Sequence, residues 1–202
     1  METAVLVVAG WCSGVNAYLT VLVLGVAGRL GWTAVPAGLE QPWVLGAAGT
    51  MFAIEFVVDK VPLLDSAWDV VHTLVRPGIA AVVGTVLADD RGLGVVGPGA
   101  AALAAGLALV GHTSKATTRL AINMSPEPFT NVAASVGEDG LVTSLMLLAV
   151  ASPRLAAAVT LVVAVAGLVL AWTLIRFARR GIRVVRRWLA RGGTARPSSP
   201  PR

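Results

Sequence analysis

Long apolar runs follow one another along the chain, each about the length of a membrane-crossing helix. A span needs about 20 mostly apolar residues, and six stretches are candidates: 4–28, 42–60, 64–88, 98–118, 129–151 and 154–176. The pattern predicts an all-α, polytopic membrane helix bundle of about six spans. A transmembrane domain covers 1–175, a basic amphipathic interfacial helix 176–191, and a disordered Pro/Ser-rich tail 192–202. The start of the chain does not read as a signal peptide, because its only early charge is Glu2 and no basic segment precedes the apolar run.

The interruptions in these runs are as informative as the runs. In the third candidate the clean apolar part is only Gly78 to Ala88. That is about 16 Å of helix, too short for about 30 Å of hydrocarbon. The segment therefore reads either as a half-span or as a helix holding Asp65, Asp69, His72 and Arg76 at membrane depth, with Pro77 marking a kink or break. Polar groups from Ser13 to Tyr18 interrupt the first candidate, and Asn123 to Pro128 closes the fourth. Broken helices whose polar ends face a cavity are how transporters build midplane sites. The plainer alternative is close packing through Gly10 and Gly14 and a rigid turn at Pro126 and Pro128. Each half carries three candidates, an Asn near its first helix (Asn16, Asn123) and an acidic pair in its middle one (Glu55/Asp59, Glu138/Asp139). A 3+3 inverted repeat is compatible with this, although His72-Thr73 and His112-Thr113 do not fall at equivalent positions.

Composition sharpens the class. Of 202 residues 56% are hydrophobic and 13% charged, against about 25% charged in soluble domains. This excludes an ordinary cytosolic enzyme, a disordered chain and a disulfide-stapled domain; the single cysteine, Cys12, cannot form an internal bridge. Charge is sharply divided. Residues 1–175 hold seven bases against all eleven acids, whereas 176–202 hold nine arginines and no acid. Arg176, Arg179, Arg180, Arg183, Arg186 and Arg187 alternate with Phe177, Val184 and Trp188. Such a helix suits an anionic leaflet, at about 1 kcal/mol per arginine near the surface. A protein- or nucleic-acid-docking arm is the alternative, with no nucleic-acid face expected in the body of the chain. Placing this tail in the cytoplasm, six spans put the N-terminus there too, in a cell (inner) membrane, with Lys60, Lys115 and Arg119 inside and Arg29, Arg91 and Arg154 outside. Homo-oligomerisation is left open.

Ionisable groups inside spans cost roughly 2.5–3.5 kcal/mol each and mark function by default. Glu55 and Asp59 are four apart and share a face; Asp65, Asp69, His72 and Arg76 form another stripe; Glu138 and Asp139 sit near the middle of span five. Structural readings stand beside the functional one. Glu55/Asp59 could form a cap paired with Lys60, Asp69–Arg76 and Asp65–His72 a self-satisfied surface face, and Glu138/Asp139 a buried pair on Lys115 or Arg119. Motifs for zinc proteases, nucleophile elbows and phosphate loops are missing. No cofactor is expected, and a soft-metal site is improbable with one Cys and two His.

Two long motifs carry a resemblance. One is Gly14-Val-Asn16-Ala-Tyr18-Leu19 with Glu55-x3-Asp59-Lys60-x-Pro62-x2-Asp65-x2-Trp68-Asp69-x2-His72-Thr73-x2-Arg76-Pro77. The other is Lys115-x3-Arg119-x3-Asn123-x-Ser125-Pro126-Glu127-Pro128-x-Thr130-Asn131, followed by Glu138-Asp139. Over roughly residues 4–175 the chain resembles the small bacterial integral membrane proteins grouped as domain of unknown function 4126. The resemblance implies a membrane location and supplies no functional residues. A fainter echo of cation exchangers with a Glu-x-Gly-Asp-Lys-Ser/Thr motif prompts an ion hypothesis; the acid spacing differs and Val61 replaces the hydroxyl residue.

The expected function is a transporter or channel-like protein for a cation or a proton-coupled small solute. Glu55, Asp59, Glu138, Asp139, Asn16 and Asn123 would form the pathway, and Lys115, Arg119, Asp65, Asp69, His72 and Arg76 the gates or counter-charges. His72 has a normal pKa near physiological pH, which suits a proton sensor. The alternative is a non-transporting membrane scaffold or subunit whose tail docks lipid or a partner. An intramembrane enzyme acting on lipid head groups comes third, since nothing nominates a nucleophile with its base.

Overall fold

The computed structural model describes residues 2–32, 35–61, 63–89, 97–124 and 128–192. Six helices account for nearly all of them: α1 (Glu2–Arg29), α2 (Pro42–Val58), α3 (Leu64–Asp89), α4 (Gly97–Ile122), α5 (Pro128–Ala151) and α6 (Pro153–Gly192). No strand occurs among the described residues. By length and hydropathy four stretches could cross a membrane: Thr3–Arg29, Leu64–Ala88, Phe129–Ala151 and Pro153–Arg183. The chain is an integral membrane protein. The other two of the six expected stretches are α2 and α4. The first is a 17-residue apolar helix, and the second carries His112, Lys115 and Arg119 on its buried face.

α4 lies at the centre. Ala100, Ala104, Ala108, Gly111, His112, Lys115 and Arg119 are its buried residues, a stripe at helical spacing whose first half is made only of small side chains. Small residues let backbones approach. A Cβ on Gly14 of α1 would strike the backbone of Ala108, and one on Gly111 would lie 2.5 Å from the Trp11 carbonyl oxygen.

α1 is two helices joined at Asn16, whose φ −148° and ψ 98° are extended. Asn16 caps the second half: its side-chain oxygen accepts from Leu19 N–H at 2.9 Å and its carbonyl accepts from Thr20 Oγ1 at 2.8 Å. The halves run in opposite senses along the bundle. The first follows α4 in parallel, with Gly10 beside Ala104 and Gly14 beside Ala108. The second runs antiparallel to α2, with Leu22 beside Gly49 and Gly25 beside Leu45. α2 and α4 share one direction, because each is antiparallel to α3. Glu55 of α2 pairs with Arg76 of α3 while positions 44–51 and 75–83 of the two helices line one groove, and Gly84 meets Ala100 and Ala104 while Thr73 meets His112. α1 is therefore a bent pair with its tip at Asn16, and each half, about 20 Å long, falls short of a bilayer. The broken or re-entrant helix expected from Ser13–Tyr18 is found there.

At Pro77, where a kink or break is expected, the helix does not break. α3 continues through the proline as one helix, and the residue before it is clamped from three sides, by Glu55, Asp69 and His112 on Arg76. Neighbouring elements of this kind stabilise a proline-containing span. The described contacts give no evidence of a 3+3 inverted repeat, since the first half opens on a bent pair and the second on the straight α4. Among the tail residues, Arg176, Arg179, Arg180, Arg183 and Arg186 are exposed on α6, which passes unbroken from its apolar part into the arginine-rich part. The Arg187 side chain and residues 193–202 lie outside the described residues.

Candidate functional site

The polar residues singled out from the sequence meet below the tip of α1. Glu55, Asp59, Asp65, Asp69, His72, Arg76, Lys115, Arg119 and Asn16 are all buried. The helices bring them together by periodicity: Glu55 and Asp59 on one turn of α2, Asp65, Asp69, His72 and Arg76 along one face of α3, and Lys115, Arg119 and Asn123 along α4.

Three bases organise the acids. Arg76 Nη2 pairs with Glu55 Oε1 at 2.6 Å and Nη1 with Asp69 Oδ1 at 3.0 Å; Nη1 also donates to the Gly14 carbonyl at 3.4 Å, tying α3 to the end of the first half of α1. Lys115 Nζ bridges Asp59 Oδ2 at 2.5 Å and Glu55 Oε1 at 3.2 Å, with Glu138 Oε2 at 3.9 Å. Arg119 donates to Glu138 Oε2 at 2.7 Å, Asn131 Oδ1 at 2.6 Å and the Asp59 carbonyl at 2.9 Å. Its distances to Asp59 Oδ2 and Asp65 Oδ2 are 3.6 and 4.0 Å. Asp65 is instead held mainly by Asn123 Nδ2, at 2.9 and 3.1 Å. Asp139 turns to the α1 tip, accepting from Asn16 Nδ2 at 3.0 Å.

Some sequence pairings therefore need revision. Glu55 and Asp59 are paired with Lys115, Arg76 and Arg119, while Lys60 turns back over the Phe56 ring and reaches Ser135 at 3.4 Å. Asp69–Arg76 forms, but inside the bundle, and Asp65 does not pair with His72. Glu138 does pair with Arg119, whereas its neighbour Asp139 takes a neutral partner. One turn of helix cannot aim two adjacent side chains at the same base.

Hydrogen-bond logic fixes both histidines. A guanidinium can only donate, so His112 Nδ1, 2.9 Å from Arg76 Nη1, is an acceptor and its proton sits on Nε2. That nitrogen faces Thr73 Oγ1 at 3.0 Å, and Thr73 in turn donates to the Asp69 carbonyl at 3.0 Å. A carbonyl can only accept, so His72 Nδ1 carries the proton given to Trp68 O at 2.8 Å, and Tyr18 lies 3.0 Å from Nε2. Sequence reasoning did not assign His112, Thr73, Tyr18 and Asn131 to the site. Tyr18, Thr73 and Asn131 stood inside the motifs, but single polar residues in apolar helices carry no pairing information.

The balance is uneven. Five carboxylates (Glu55, Asp59, Asp65, Asp69 and Glu138) share Arg76, Lys115 and Arg119, while Asp139 bonds the neutral Asn16. Among the described residues Glu55 Oε2, Asp59 Oδ1, Asp69 Oδ2 and Asp139 Oδ2 are buried without a hydrogen-bond partner. Crevices flank α4 on either side: about 310 Å³ reaching Lys115 and Glu138 against α6, and about 170 Å³ reaching Asp69 and His112. No group of three or more His, Cys, Asp or Glu suited to a metal ion occurs among the described residues.

The family model described as domain of unknown function (DUF4126) matches residues 4–174. The chain belongs to that family. The match takes in the whole DUF4126 network, from Asn16 to Asp139, and ends just before the arginine-rich segment. No curated protein and no solved structure matches the chain.

Proposed function

We propose that this DUF4126 protein moves a small cation, or a small solute coupled to protons, through its buried acidic network. The observation that carries the reading is the surplus of six carboxylates over four bases, Lys60, Arg76, Lys115 and Arg119, in a membrane bundle. Uncompensated buried charge is costly, so excess carboxylates call for a mobile positive partner, either a proton or a metal cation. A discontinuous helix whose tip touches the network at Gly14 and Asn16 agrees with this, because half-helix ends line the sites of many secondary transporters. Glu55, Asp59, Glu138 and Asp139 are the pathway, Lys115, Arg119 and Arg76 its internal counter-charges, and Asn16 and Asn123 its neutral ligands. Asp65, Asp69 and His72 flank it toward the base of α3.

For orientation, the arginine-rich end of α6 is placed in the cytoplasm. Lys60 and Arg119 then lie toward the same side. The bent path of α1 puts its N-terminal end on the opposite face from the end of α6, in place of the shared side that six crossings would give. The exposed arginines Arg176 to Arg186 meet anionic head groups as α6 leaves the bilayer.

Flux in proteoliposomes tests the proposal, with sodium, potassium and proton gradients imposed in turn. Asp139→Asn and Glu138→Gln are expected to lower the rate at least tenfold; unchanged rates end it. A scaffold is the second reading, favoured by the pairing of Glu55, Asp59 and Glu138 with bases. Absence of flux for any ion, with a partner that co-purifies and is lost on removing 176–202, would establish it.

A further inference from the structure

The smaller crevice has a chemistry of its own. Ser66, Asp69 and Thr73 from α3 and His112 from α4 supply its polar lining, in about 170 Å³. At about 30 Å³ of liquid volume per water this is room for about five waters. Asp69 is only 4% exposed. Its Oδ1 lies 3.0 Å from Arg76 Nη1 as an ion pair, and among the described residues neither oxygen has a hydrogen-bond partner. A buried carboxylate oxygen left unpartnered is expensive, and here it borders a cavity large enough for a ligand.

The neighbouring hydroxyls present oxygen lone pairs to the crevice. Thr73 spends its proton on the Asp69 carbonyl and receives the His112 Nε2 proton, so its remaining lone pair is an acceptor. Ser66 Oγ accepts from Asn123 Nδ2 at 2.9 Å. Arg76 cannot neutralise Asp69 alone, because it also serves Glu55. The carboxylate of Asp69 in this lining repels an anion. A divalent ion would want six or more oxygens, usually with several carboxylates, and Asp69 is the one carboxylate among the lining residues.

We propose that this crevice binds a small, partly hydrated monovalent cation of the sodium class, with Asp69 Oδ2 as the anionic ligand and Thr73 and Ser66 as neutral oxygen ligands. This deepens the translocation reading and rests on it for the ion's onward path, while binding itself stands independently.

The experiment is a thermal-unfolding titration of the full chain in detergent, with sodium chloride exchanged for choline chloride at constant ionic strength. A saturable rise in Tm with sodium is expected. Asp69→Asn should abolish it, and Thr73→Val should weaken the apparent affinity about tenfold, while Gly46→Ala, far from the crevice, should leave it unchanged. If Asp69→Asn fails to fold, the Thr73→Val titration alone decides. An equal response to sodium and choline, an unaltered sodium response in the variants, or a response to pH with none to sodium would overturn the proposal, the last assigning the crevice to a proton. Flux on the same variants separates the two ideas. Sodium binding without any flux removes translocation and keeps the crevice site; flux that survives with Asp69→Asn binding sodium normally removes the site and keeps translocation.

Discussion

Arg119 is the most exacting test of the network. It is fully buried and donates to Glu138, Asn131 and the Asp59 carbonyl. Arg119→Met removes a base of similar length and leaves Glu138 without its close partner in a low-dielectric interior. Breaking one side of a buried pair costs about 3–5 kcal/mol. At roughly 2–4 °C per kcal/mol for a chain of this size, Tm should fall by roughly 6–20 °C. Glu138→Gln in the same background removes the orphaned charge and should recover part of the loss, with a coupling energy of about 1–3 kcal/mol. The assay is a double-mutant cycle by thermal unfolding in one detergent, with all four proteins matched in lipid content. Additive single effects, with coupling under about 0.5 kcal/mol, would refute the idea that Arg119 and Glu138 act as a pair.

Other consequences can be checked more quickly. Gly14→Val should destabilise by about 1–3 kcal/mol because its side chain meets the Ala108 backbone, whereas Gly46→Ala, with open space around it, should be near neutral; Tm compares them. Asn16→Ala should lose about 1 kcal/mol with the cap on Leu19. Asn16→Asp keeps that cap but sets a second carboxylate against Asp139, so it should unfold at lower temperature than Asn16→Ala. In a Cys12→Ser background, Thr3→Cys and Arg183→Cys should react with a membrane-impermeant maleimide from opposite sides of the bilayer. Labelling from one side only would refute the bent path of α1.

Much of this was legible in the apolar pattern. The expected stretch 42–60 is the helix Pro42–Val58, and 129–151 is Pro128–Ala151, because proline and polar clusters punctuate hydrophobic runs locally. The polar run around Asn16 also announced a break, since an asparagine with extended backbone is a local signal. The direction of the break was not legible: it depends on Gly10 and Gly14 fitting Ala104 and Ala108 nearly a hundred residues later. That Pro77 does not break its helix was not legible for the same reason, because Glu55 and His112 hold the preceding turn from other helices. The acids were found as candidates one at a time, but their partners were not. Asn16 and Asp139 are 123 positions apart, and nothing in either neighbourhood names the other.

The bent first segment has a consequence for biogenesis. Its opening arm is made before its packing surface, because Ala104, Ala108 and Gly111 are synthesised about a hundred residues later. Until then the arm is an apolar rod too short to cross the bilayer. Its packing surface is complete only once the fourth helix has been made.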